Sequence, residues 1–130
     1  MNLAEIAAVV FAVVAAGVVV FQIALACGAP WGAYAMGGAF PGRFPPAMRV
    51  AAVLQAVLLV AIVGVVLSCT GLALPAWREA SSWLIWGVVA FSAVSVVLNT
   101  ITRSSGERRI WAPVAVVMLV CSLTVALTSG

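Results

Sequence analysis

Histidine, aspartate and lysine do not occur in this chain. Their absence removes most of the usual general bases, metal ligands and amine nucleophiles. The acids that remain, Glu5, Glu79 and Glu107, lie in separate segments, so neither a carboxylate pair nor a metal-ligand cluster is suggested. Cys27, Cys69 and Cys121 are an odd number without CxxC spacing. They read as buried apolar thiols rather than as a disulfide framework or a redox pair. No catalytic residue, metal or cofactor is expected. Nucleic acid is not expected as a partner either, because the net charge of +3 comes without a recognition module.

Charge of any sign is scarce. Only 7% of the residues are charged and 66% are hydrophobic, whereas a soluble surface normally needs roughly 25% charged residues. The implied solvent is lipid, in agreement with a mean hydropathy of +1.30. Four apolar runs, about 3–26, 50–72, 82–101 and 110–127, match the roughly 20 residues with which a helix crosses a bilayer core. They lack the strict alternation of membrane strands, and backbone groups in lipid must be satisfied within the segment. The fold class expected is all-α: a polytopic membrane protein forming one four-helix bundle over residues 1–130. The first run is read as a transmembrane helix and not as a signal peptide, because it is long and opens "MNLAEIAAVVF" without a basic residue. Glu5 lies barely inside its start, within reach of water.

The six arginines set the orientation. Arg43, Arg49, Arg103, Arg108 and Arg109 fall in connections one and three, and Arg78 falls on the opposite side. The positive-inside rule then places connections one and three in the cytoplasm of a bacterial-type cell membrane, with both termini outside. Trp77, Trp83 and Trp86 gather at the opposite connection as interfacial anchors.

Within the helices, Gln22, Gln55 and Asn99, followed by Thr100 and Thr102, cluster toward the arginine side. Buried amides in lipid are costly unless partnered. They either bond one another or the loop backbone as interhelical glue, at ~0.6 kcal/mol each, or line a site. Over this end lies "CGAPWGAYAMGGAFPGRFPPAMR", residues 27–49, far longer than the two to eight residues that join neighbouring helices. Its glycines (Gly28, Gly32, Gly37, Gly38, Gly42) and prolines (Pro30, Pro41, Pro45, Pro46) exclude a continuous helix. Trp31, Tyr34, Met36, Phe40 and Phe44 exclude a solvated linker. Two readings follow: a lid that caps the polar end of the bundle, or an interfacial loop whose aromatic rings lie in the headgroups.

Connection three, "NTITRSSGERRIWAP", holds the densest charge. Glu107 is close enough in sequence to pair with an arginine, Trp111 anchors helix four, and Pro113 is placed in that helix's first turn. Arg49, Arg103 and Arg108 are either topology signals or a cluster converging on an anionic lipid headgroup or small anionic ligand beneath the loop. The candidate ligand-binding residues are therefore Gln22, Trp31, Tyr34, Arg49, Gln55, Asn99, Arg103, Glu107 and Arg108. Small-residue stripes at Ala8, Ala12 and Ala16, and at Gly64 and Ser68, suit close helix packing within one chain or between copies in a homo-oligomer or larger membrane complex.

Three stretches, "GAPWG" at residues 28–32, "FPPAMR" leading into helix two, and Asn99 through "ERRIWAP", resemble a set of uncharacterised small four-helix bacterial membrane proteins with a GAPWG loop. The resemblance implies a membrane bundle and no particular activity. The function expected from the residues is a non-enzymatic binding or accessory component acting through its cytoplasmic loop face. The alternatives are a small oligomeric transporter or channel lined by Gln22, Gln55 and Asn99, or a membrane-embedded enzyme acting on a lipid-like substrate through Glu107 or a cysteine.

Overall fold

A computed structural model describes residues 1–35 and 38–129, the side chain of residue 129 excepted; Met36, Gly37 and Gly130 lie outside the described residues. The fold is all-α, with no strand among the described residues. Its helices are α1 (Leu3–Ala26), α2 (Pro46–Thr70), α3 (Arg78–Ile101) and α4 (Ser105–Ser129), with short 3₁₀ turns at Gly32–Tyr34 and Pro75–Trp77. All four α-helices are long and apolar enough to cross a membrane.

Three helices begin earlier than their apolar runs, each for a local reason. At α2, Pro45 is the cap and Pro46 the first helical residue, where proline has no intrahelical N–H to lose and a pre-set φ. The turn Pro75–Trp77 leads directly into α3. At α4, the Ser104 hydroxyl accepts from the Glu107 N–H at 3.2 Å, so "SSGE" is a helix start and not a loop. Pro113 consequently lies inside α4 and not in its first turn. Asn2 caps α1 in the same way, accepting from the Glu5 N–H at 2.8 Å. Gly71 ends α2 in the left-handed region at φ 77°, and Leu72 N–H returns to the Leu67 carbonyl at 3.1 Å, the Schellman arrangement for which glycine is favoured.

The helices stand in a ring, α1 against α2 and α4, and α3 against α4 and α2. Phe11, Leu59, Val66, Ile85, Met118 and Val125 form the main core. On α1 the inward small residues are Ala4, Ala7, Ala8 and Ala15. The stripe at Ala8, Ala12 and Ala16 is not the packing seam: successive steps of four outrun the helical period of 3.6, and Ala16 is exposed. Cys69 and Cys121 are buried, but Cys27 is exposed, contrary to its reading as a buried thiol. It sits at the end of α1, where the chain turns into the long loop. The outer surface carries large apolar side chains, including Val13, Leu54, Trp83 and Ile101, each more than half exposed.

A second, smaller core of Leu25, Phe44 and Ala52 closes the end where the loop lies. The loop folds on itself through Gly32 N–H to the Gly42 carbonyl, 2.8 Å. It is tied to α4 and its cap by two bonds: Ser104 Oγ–H to the Ala33 carbonyl at 2.7 Å, and Trp111 Nε1–H to the Tyr34 carbonyl at 2.8 Å. Connections one and three therefore share one end of the bundle.

Candidate functional site

The helices diverge beneath this loop around a cavity of about 710 Å³, within the roughly 300–1,000 Å³ range of small-molecule sites. Gln22 of α1, Gln55 of α2 and Asn99 of α3 all line it. Each is half-buried. The Asn99 amide nitrogen donates to the Ser95 carbonyl at 2.7 Å. Among the described residues no hydrogen bond joins the three amides to one another, and none is made by the side chains of Gln22 and Gln55. Interhelical glue is thus not their arrangement: the cavity stands between them.

The mouth is formed by Tyr34, Thr102, Arg103, Glu107 and Trp111. Arg103 is exposed, whereas Glu107 is buried at 8% exposure, so positive charge faces outward and the carboxylate lies within. Tyr34, Ala35 and Phe44 bring the loop into the lining. The floor is apolar, with Val18, Leu59, Phe91 and Met118 resting on the main core. Ala51 of α2 and Leu98 and Ile101 of α3 line the cavity and are exposed as well. Besides its mouth, the cavity is accordingly open on the side between α2 and α3 as well.

Of the sequence-predicted residues, the cavity brings together Gln22, Tyr34, Gln55, Asn99, Arg103 and Glu107, and leaves out Trp31, Arg49 and Arg108. Trp31 stacks outside on Phe21, ring centroids 6.1 Å apart and 7° from parallel. Phe21 in turn tilts against Trp111 at 4.7 Å. Arg49 donates through Nε to the Phe44 carbonyl at 2.9 Å, with its guanidinium lying against Gly28. Arg108 Nη1–H reaches the Thr102 carbonyl at 3.3 Å. The three-arginine anion cluster is not assembled. Arg49 and Arg108 hold backbone carbonyls, which guanidinium donors satisfy well at chain turns, and Arg103 alone of the three reaches the cavity.

Ser92 and Ser95 also belong to the lining and were not expected. Their signal was present in the spacing of Ser92, Ser95, Asn99 and Thr102, steps of three, four and three, which puts polar side chains on one face of a helix. Among the described residues no group of His, Cys, Asp and Glu could hold a metal ion, and no cysteine lines the cavity. No family model, curated protein or solved structure matches the chain.

Proposed function

We infer that this is a multi-pass membrane protein acting as a non-enzymatic binding or accessory component, and that it receives a small amphiphilic molecule in the cavity beneath the loop. The apolar outer surface supports a bilayer as its surroundings. The arginines at the loop end support a cytoplasmic position for connections one and three, with the termini outside.

The observation that carries the binding reading is the pair of half-buried amides, Gln22 and Gln55, that line the cavity without a hydrogen-bond partner among the described residues. Such groups cost free energy in an apolar setting unless something bonds them. An amphiphile suits the rest of the site, with a polar mouth over an apolar floor and an opening toward the surface between α2 and α3. The head it favours is uncharged. The lining holds one arginine and one carboxylate, Arg103 and Glu107, so its formal charges sum to zero, and the amides offer both donors and acceptors. The core packed below the floor supports a closed-ended pocket over a conduit. Glu107 as the sole acid in the lining gives an acid–base reaction no partner group.

Native mass spectrometry of the protein released from membranes tests this, comparing wild type with a Gln22→Leu/Gln55→Leu variant. A neutral single-chain molecule retained by wild type and lost from the variant is the expected result. The same nonspecific lipids on both would overturn the reading.

A further inference from the structure

Two openings of different chemistry lead into the cavity. The mouth carries Tyr34, Arg103 and Glu107, whereas the side between α2 and α3 is edged by Ala51, Leu98 and Ile101. These three are exposed, Leu98 at 57% and Ile101 at 69%, and none has a polar side-chain atom. The topology leaves this side unfastened. α2 and α3 are joined at the opposite end, through residues 71–77 and a bond from Cys69 Sγ–H to the Ser81 carbonyl at 3.1 Å. At the loop end each continues into a different connection, and among the described residues no hydrogen bond joins them there. The ties of the loop run to the other side, from Ser104 and Trp111 to its carbonyls and from Trp31 to Phe21 of α1.

The edge also lies at the level of the amides. Ala51 is near the start of α2 and Ile101 ends α3, so the edge is within about 8 Å of the helix ends at 1.5 Å per residue. In a bilayer that is the layer where lipid heads meet their chains. Gln55 follows Ala51 by one helical turn, and Asn99 adjoins Leu98. Two of the three amides lining the cavity therefore stand within a turn of the edge.

We propose that the occupant enters and leaves sideways, from the bilayer leaflet at the loop end, and that Ala51, Leu98 and Ile101 form its portal. This rests on the amphiphile-binding reading above and assigns the source of the ligand: a molecule already dissolved in the leaflet, not one captured from water. An apolar edge also selects. An acyl chain crosses it at little cost and an uncharged head at a modest one, whereas a charged head is opposed as ions are by hydrocarbon. The portal thus admits the same neutral heads that a lining of zero formal charge accommodates.

Closing the portal and following exchange tests this. Ala51→Cys and Leu98→Cys are placed in a Cys27→Ser background, where the remaining thiols, Cys69 and Cys121, are buried. The full chain in phosphatidylcholine vesicles is loaded with monoolein, the new thiols are bridged with a bifunctional methanethiosulfonate, and deuterated monoolein is added in excess. Native mass spectrometry then reads which form is bound. Bridging is expected to slow exchange roughly ten-fold, as closing the route to an enclosed site does, and cleaving the bridge with a reductant should restore the rate. Leu98→Trp, which narrows the edge without a crosslink, should also slow exchange, at an unchanged melting temperature. Exchange at the open rate in both the bridged protein and Leu98→Trp puts the route at the mouth, which overturns the portal and leaves the amphiphile site standing. If wild type retains monoolein no better than Gln22→Leu/Gln55→Leu, the amphiphile reading falls and the portal falls with it.

Discussion

The indole N–H of Trp111, two turns into α4, donates to the main-chain carbonyl of Tyr34 in the long loop. Residues 77 positions apart are joined at 2.8 Å, and the same indole tilts against Phe21 of α1. One side chain therefore ties the roof of the cavity to two of its walls. A loop that only rested in the headgroups would have no such bond.

Trp111→Phe keeps a ring against Phe21 and deletes the donor. Amide exchange in residues 29–35 is expected to quicken several-fold, by the loss of about 1 kcal/mol of local closing free energy, with the helices unchanged. Equal exchange in variant and wild type would mean that the loop is held elsewhere, by Ser104 or Phe44.

Glycine at two places is a matter of space. At Gly106, in the first turn of α4, a Cβ would lie 2.5 Å from the Tyr34 ring, and at Gly32 it would collide with the Phe40 carbonyl oxygen. The neighbour of Gly106 is a side chain that can swing away, whereas that of Gly32 is backbone in a loop closed by its own hydrogen bond. Gly106→Ala should cost about 1 kcal/mol and Gly32→Ala about 2–3 kcal/mol, as overpacking does, read as falls in melting temperature. The reverse order would contradict this packing of the loop.

The four helices were legible because each needs some two dozen apolar residues in a row, a signal that no loop imitates. Their starts were not. Pro45–Pro46 and "SSGE" look like helix breakers, and only the geometry of the cap turns them into beginnings. The polar end was legible from Gln22, Gln55 and Asn99, but its meaning turned on whether these amides bond each other or stand apart, a distance that no spacing along one helix encodes. Arg49 and Arg103 look alike in sequence for the same reason. The partners that separate them, the Phe44 carbonyl and the cavity, are products of the fold.

Cys27 is exposed while Cys69 and Cys121 are buried, so thiol labelling reports both packing and sidedness. A membrane-impermeant maleimide should modify one thiol per chain in inverted vesicles and none in intact cells, as expected if the loop end faces the cytoplasm. Labelling of intact cells that disappears in Cys27→Ser would reverse the orientation.

Arg49 and Arg103 should separate by what each substitution damages. Arg49→Gln removes the Nε donor from the Phe44 carbonyl and the guanidinium from its place against Gly28. The expected loss is about 1 kcal/mol of stability, with ligand occupancy of the folded protein unchanged. Arg103→Gln removes an exposed side chain at the cavity mouth, so the melting temperature should stay within a degree or two of wild type. Its effect should fall on occupancy, reduced several-fold in native mass spectra because the lining loses its one guanidinium donor. If instead Arg49→Gln empties the cavity at unchanged stability, the guanidinium that serves the ligand is the one in the loop, and the mouth has been placed at the wrong arginine.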